Sequence, residues 1–249
     1  LPKPSDALQP VTYLRLNDRA AAPVSNHGTA AEAAEGSIAV VGAPGSGPQA
    51  PAFPGFETAN AAFASAAKSW VSLDNPSVLN RSGNLTLEAW VKPMSNARMF
   101  AVSNDNPTNH GAGFGVNNYQ LEIDCHNTFI IVPGTPFSNG TWAHVAVVYQ
   151  ADARVRAYVN GTEVYNAVPN TGWTSAMNGT ANFSLGRANS SLPLPWSGSI
   201  DEVRVWSRSL CQPEIDAGKR GSLPGIAPGI KGPVIVSAGI PVDIPAGPH

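Results

Sequence analysis

Glu122 and Asp124 stand two residues apart in the stretch LEIDCHN, residues 121–127. In an extended strand successive side chains alternate between faces, so Glu122, Asp124 and His126 share one side and Leu121, Ile123 and Cys125 the other. Carboxylates paired on a strand are how some sugar-cleaving enzymes carry a proton donor and a nucleophile, about 5–5.5 Å apart in retaining enzymes. His126 could in principle transfer protons. The competing reading is a middle strand with one wet face. No G-x-S-x-G elbow, P-loop, H-E-x-x-H or Cys/His metal spacing occurs elsewhere in the sequence.

A third acid, Asp201, lies in SIDEVRVW. Alternation groups it with Val203 and Val205 and sets Glu202, Arg204 and Trp206 opposite. If the valines face a core, Asp201 faces it too, and a buried carboxylate needs N–H donors, an arginine or a metal ion. The asparagine-rich SNDNPTNHGAG, with Asp105 and His110, reads either as a ligand loop or as a long polar turn. Trp173 and Trp196 fall in loops, NTGWTS and LPWSGS, where flat rings could stack on sugars.

The elements that must position these residues are strands. LTLEAWVKP places Leu85, Leu87, Ala89 and Val91 on one side and Thr86, Glu88, Trp90 and Lys92 on the other. WAHVAVVYQ follows the turn SNGT, and RVRAYVNGTEVYNAV reads as strand, Asn160-Gly161 turn and strand, a strong hairpin signal. FSLGRA and SIDEVRVWSRSL are two more strands. Strands at this spacing, with no amphipathic helix longer than two turns between them, predict an all-β fold of two antiparallel sheets.

Both ends differ from this middle. Residues 19–50 read as a long irregular region around one short strand, SIAVVGA. From Gly221 the chain is aliphatic and broken by prolines at 224, 228, 233, 241, 245 and 248, and only Lys231 and Asp243 carry charged side chains. Proline forbids a helix there and confines any strand to an edge. The expectation is an extended arm, 221–249, lying against its own domain or a neighbouring subunit, where VIVSAGI could add to an exposed sheet edge.

With 13% charged residues and a formal net charge of −2, the 249-residue chain has no basic run to attract nucleic acid or anionic membrane. No apolar run approaches the roughly 20 residues of a membrane helix. The start LPKPSD has neither Met nor a signal-peptide pattern and reads as a mature or excised form. Cys125 and Cys211 are either one disulfide of an oxidising compartment or two free thiols. N-x-S/T acceptors begin at Asn80, Asn84, Asn139, Asn160, Asn178, Asn182 and Asn189. They are either glycosylation sites or turn chemistry followed by a strand-loving Thr, and surface loops in both cases.

The runs NLTLEAWVKP, NGTWAHVAVVYQADARVRAYVNGTEV, FSLGRA and WSGSIDEVRVWSRSLCQPEI, in this order, resemble the laminin-G-like, concanavalin-like jelly-roll domains that include the pentraxins. The resemblance covers roughly 10–218, so residues 1–220 are taken as one jelly-roll domain and 221–249 as the arm. It implies a secreted or surface-associated module that attaches to glycans or proteins. It also implies that Trp90, Trp142 and Trp206 pack inside. Related folds include glucanases with an E-x-D-x-E or E-x-D-x-x-E strand; here Glu122 and Asp124 fit the first two positions, and His126 or Asn127 stands where the acid belongs. In many relatives the acid at Asp201 lies beside a structural Ca²⁺ built from the opening strand and its loop. Carried over, that set is Asp201 with Asn17 or Asp18 and a carbonyl near Gly28, in the mixed oxygen shell calcium prefers. The loop acid usual in the family is missing from APVSNHG.

The expectation that follows is a non-catalytic adhesion or assembly module, such as a particle or surface subunit, whose partners are other subunits or glycans. A carbohydrate-binding module using Trp173, Trp196, Asp105 and His110 is the first rival. A polysaccharide-cleaving enzyme using Glu122 and Asp124 is the second.

Overall fold

The structure, a computed structural model, describes residues 9–16, 24, 26–29, 36–38, 45–65, 69–73, 83–104, 111–125, 128–134, 137–169, 183–188 and 193–221. Two antiparallel sheets stack face to face. The larger contains β1 (Thr12–Leu14), β3 (Gly45–Ser46), β4 (Ala61–Ser65), β6 (Leu85–Pro93), β11 (Ala143–Tyr149), β12 (Val155–Val159), β13 (Thr162–Ala167) and β15 (Gly198–Trp206). Its order is β13-β12-β11-β6-β15-β4-β3, with β1 also on β15. The smaller contains β2 (Gly36–Ile38), β5 (Val71–Leu73), β7 (Met99–Ser103), β8 (Ala112–Asn117), β9 (Gln120–Cys125), β10 (Thr128–Ile131) and β14 (Phe183–Leu185). Its order is β10-β9-β8-β7-β14-β5-β2. This is the two-sheet antiparallel sandwich predicted from alternation, with the jelly-roll form that the resemblance implies. The 19–50 region is more regular than predicted, since it supplies both β2 and β3. The arm beyond Gly221 lies outside the described residues.

Alternate side chains of each strand fill the space between the sheets. Leu85, Leu87, Ala89 and Val91 of β6 meet Phe114 and Val116 of β8 and Leu121, Ile123 and Cys125 of β9 in one buried cluster. Tyr149 on β11 crosses this core. Its hydroxyl donates to the Asp124 carbonyl at 2.8 Å and accepts the Gly113 N–H at 3.1 Å. Burial pushes that phenol well above its ordinary range. The hairpin turn is as predicted: Asn160 and Gly161 both adopt positive φ, 51° and 80°, as a type I′ turn demands.

The outer face of the larger sheet is roofed, which alternation along its strands could not show. Helix α1 (Gln212–Lys219) packs Ile215, with Leu210, onto Ala146, Val148, Tyr158 and Trp206. Its start is fixed by the Glu214 carboxylate, which accepts the Cys211 N–H at 2.9 Å. Phe53 and Phe56, from the 47–57 loop, meet Trp90 edge-on at 5.1 and 5.4 Å.

Beneath this roof runs a buried polar chain. Glu88 accepts from the Trp206 indole N–H at 3.0 Å, lies 2.8 Å from His144 Nε2, and has Arg204 at 3.8 Å. Arg204 pairs with Glu202 at 2.6 Å, and Glu202 also accepts from Tyr13 and Arg15. Helix α1 comes so close that a Cβ on Gly218 would lie 1.6 Å from Glu88 Oε1. Only glycine fits there.

Candidate functional site

Strand β9 lies between β8 and β10, and Glu122 and Asp124 both point to the outer face of the seven-stranded sheet. Glu122 is 1% exposed. Arg98, just before β7, donates Nε–H to both Glu122 oxygens, at 2.8 and 3.0 Å, and its Nη2 lies 2.6 Å from Oε1. The Arg98 guanidinium also lies over the Phe129 ring, 4.3 Å from its centre. A carboxylate held this way is charge-compensated and has no face turned to water. Asp124 is fully buried. His126 lies outside the described residues. The face predicted to be wet is therefore dry where the two acids stand.

Asp201 does not face the inter-sheet core as alternation predicted. A β-bulge lies between Asp201 and Arg204, with Glu202 in the left-handed region at φ 51°. The extra residue shifts the alternation by one, so Asp201 pairs with Trp90 and joins Arg204 and Trp206 on the roofed outer face. There Asp201 Oδ2 accepts from Asn60 Nδ2 at 2.6 Å and Oδ1 from the Glu202 N–H at 2.9 Å. Gly47 packs directly on the pair, since a Cβ would lie 2.5 Å from Asp201 Oδ2. Burial, and next the neighbouring charge of Glu202, push the Asp201 carboxyl well above its ordinary range.

The described members of the implied calcium set do not converge. Gly28 packs against Pro10 and Val11, and Val11 bonds Val205. Asp201 lies four residues further along β15, roughly 13 Å at about 3.3 Å per residue. Asp18 lies outside the described residues. Among the described residues no group of three or more His, Cys, Asp and Glu is placed to hold a metal ion. Asn17 also lies outside the described residues, so the described residues alone do not assemble the implied calcium set.

The loop tryptophan Trp196 is 0% exposed, so it is a core residue and presents no ring to a ligand. It was expected at the surface because its prolines and glycine mark a loop, but that loop is pinned inward by the Trp196 N–H bonding Gly186 O at 2.8 Å. Trp173, Asp105 and His110 lie outside the described residues, as do Asn80, Asn178, Asn182 and Asn189. Asn84, Asn139 and Asn160 are exposed. Two of them serve turns: Asn84 Oδ1 accepts the Ala151 N–H and Asn160 Oδ1 the His144 N–H. Cys125 is buried and Cys211 exposed, and no disulfide joins them, which corrects the disulfide alternative.

A feature missed in the sequence lies across the same sheet from Arg98. In register from β10 to β5, the outer face carries the row Phe129, Asp124, Gly113, Ser103, Ser184 and Ser72. Trp70 precedes β5 and by alternation shares the side of Ser72. The guanidinium of Arg187 lies over its ring, 4.3 Å from the centre. Trp70 and Ser72 in SWVSL were the available signal. Arg187 was hidden, because alternation from core Leu185 would turn it inward; Gly186, at φ 84°, breaks that parity.

The sequence matches a laminin-G-type family model, described as the Concanavalin A-like lectin/glucanases superfamily, over residues 65–216. The chain belongs to this superfamily. No curated protein matches the sequence. Among solved structures, this superfamily member is similar to domain 4 of AbnA, a GH43 extracellular arabinanase from Geobacillus stearothermophilus, in complex with arabinotriose. The TM-score is 0.61 at 20% identity, over 85% of this chain and 98% of that domain. It is also similar to the receptor-binding domain of botulinum neurotoxin mosaic serotype C/D, with TM-score 0.59 at 12% identity over 86% of this chain and 51% of that one. A third relative comes from a study of botulinum neurotoxin type C, whose cell entry depends on two ganglioside molecules; the TM-score is 0.55 at 13% identity. The chain spans about half the length of the toxin domains, 51% and 52%. At these identities the likeness concerns the fold.

Proposed function

We propose that this superfamily member is a non-catalytic adhesion module that recognises carbohydrate outside the cell. The observation that carries the non-catalytic part is the state of Glu122. A retaining hydrolase needs one carboxylate free to attack and one carboxyl free to give a proton. Both Glu122 oxygens are taken by Arg98, and the side chain is buried. The carbohydrate part is supported by the arabinotriose complex of the AbnA domain, which this chain matches over 98% of that domain's length. Incubation with arabinan and β-glucan, with reducing ends measured alongside binding to an immobilised glycan panel, tests the reading. Glycan binding without product release is expected. Product release that disappears in Glu122→Gln would overturn it.

A second reading, self-assembly through residues 221–249, is favoured by where the arm starts. Lys219, at the end of α1, donates to the Asn160 carbonyl at 3.0 Å near the start of β13, while Gly221 itself packs on Gly55 and Phe56 of the 47–57 loop. Among the described residues β13 has no neighbour on its outer side. VIVSAGI, 234–240, is the longest proline-free stretch of the arm and is long enough to run beside the six residues of β13. Truncation after Gly221 should then abolish self-association in light scattering while the circular dichroism spectrum is kept.

A further inference from the structure

We propose that the Trp70–Arg187 stack, on the outer face of the seven-stranded sheet, is a binding site for a carboxylate-bearing sugar, a uronic acid unit of an acidic glycan. The proposal rests on the carbohydrate reading above.

The argument is an internal comparison. Five arginines among the described residues lie over aromatic rings: Arg98 on Phe129, Arg156 on Tyr158, Arg187 on Trp70, Arg204 on Tyr13 and Arg208 on Trp206. Four of the five also hold a carboxylate of this chain: Arg98 has Glu122, Arg156 has Glu163, Arg204 has Glu202 and Arg208 has Glu214. Among the described residues Arg187 alone has none. Its Nε is buried and meets no acceptor. A buried N–H without an acceptor is uncommon in folded proteins and calls for an absent partner.

The surroundings suit an anion. Burial draws the Arg187 guanidinium below its ordinary range, and an arriving carboxylate would offset that penalty. The nearest acid along the serine row is Asp124, on β9, four strands from Ser72 on β5. At about 4.8 Å per strand that is roughly 19 Å, beyond a screening length of about 8 Å. No acid of the row therefore neutralises the site.

The geometry is set in advance. Gly186 donates to Ala101 O at 2.9 Å and accepts from the Trp196 N–H at 2.8 Å, and Ala188 donates to Pro193 O at 2.8 Å. These bonds hold the backbone on both sides of Arg187, so little ordering is left for binding. The indole gives a flat apolar surface for one face of a pyranose ring, and the guanidinium fork meets a carboxylate with two parallel hydrogen bonds. The Arg98–Glu122 pair on the same face shows this geometry with an internal carboxylate.

Titration calorimetry with oligosaccharides of galacturonate, glucuronate and mannuronate, with their methyl esters, and with neutral arabino-oligosaccharides tests the site. At least one uronate should bind, its ester about tenfold to a hundredfold more weakly, as expected for loss of a charge-assisted hydrogen bond. Arg187→Gln should bring the acid down to the level of the ester and remove the salt dependence. Trp70→Ala should weaken both. Melting curves matching wild type establish that Arg187→Gln is folded, so the test does not depend on the tryptophan variant. If no uronate binds, or acid and ester bind alike, or Arg187→Gln changes nothing, the site is wrong. Neutral glycans that still bind would then leave the carbohydrate reading standing. Absence of binding to any glycan would remove both.

Discussion

Replacing Glu88 tests whether the polar chain under α1 braces the fold. The carboxylate serves three groups: the Trp206 indole N–H at 3.0 Å, His144 Nε2 at 2.8 Å and Arg204 at 3.8 Å. Trp206, His144 and Arg204 are all 0% exposed, so none can turn to water once the acceptor is gone. Each buried donor left without an acceptor costs about 1–3 kcal/mol. Arg204 keeps Glu202, which limits its share. Glu88→Ala should therefore cost about 3–5 kcal/mol, the range for breaking a buried charged pair. In a domain of this size that is a fall in Tm of about 6–20 °C.

Glu88→Gln keeps the shape and one acceptor and should cost less, about 2 kcal/mol. The pH dependence follows from the charge. Burial pushes the Glu88 carboxyl up, but the His144 hydrogen bond and the charge of Arg204 outweigh it, so the group lies below its ordinary range. A carboxyl lower in the folded than in the unfolded chain adds stability above its unfolded value, about 4.3, and loses it as pH falls through the folded value. The gap between wild type and Glu88→Gln should be full at neutral pH and close in acid. Urea unfolding at a series of pH values measures it. A Glu88→Ala variant within about 1 kcal/mol of wild type at pH 7, or a gap independent of pH, would refute the role assigned to this network.

Further outcomes follow from packing. Gly218→Ala should destabilise by about 1–3 kcal/mol, because the added methyl meets the Glu88 carboxylate, and the two changes should be strongly non-additive in a double-mutant cycle. Trp196→Ala should cost about 3–5 kcal/mol in urea unfolding, as truncation of a fully buried indole does; an unchanged midpoint would mean that its ring is not core. In the native protein Ellman's reagent should titrate one thiol, exposed Cys211, and Cys125 only after denaturation, with no mass change on reduction.

The sandwich was legible because its signal is local. Leu85, Leu87, Ala89 and Val91 declare their face through a period of two, and Asn160-Gly161 declares its turn through two residues that tolerate positive φ. What stayed hidden depends on positions where alternation fails or on contacts between distant segments. Glu202 in the left-handed region moves Asp201 to the opposite face from the one its neighbours suggest, and Gly186 does the same for Arg187. No periodicity announces a bulge. Alternation puts Glu88 and Trp90 on the face away from the inter-sheet core but does not show what covers them there, because α1 and the 47–57 loop lie far away in sequence. Trp196 was read as a surface residue from its loop composition, yet a loop can be held tightly when its backbone bonds are made to the fold, as here to Gly186.

On the proposed reading, the two outer faces of the sandwich divide the work between stability and recognition. On the larger sheet the buried acids are answered among the described residues: Glu88 by His144, Trp206 and Arg204, Glu202 by Arg204 and Arg15, Asp201 by Asn60. A helix and a phenylalanine-bearing loop seal that face, and glycines at 47 and 218 let the seal close on the carboxylates themselves. Such a surface has nothing left to offer a ligand. On the smaller sheet, Arg98 and Glu122 satisfy each other at the β10 end, while at the β5 end Arg187, stacked on Trp70, has no carboxylate partner among the described residues and a buried Nε without an acceptor. A binding group must have a partner missing until the ligand arrives, and free energy spent on an internal partner is lost to recognition. By that criterion Glu122, the residue whose type and spacing first drew attention to chemistry, is excluded by Arg98, and Arg187 is retained.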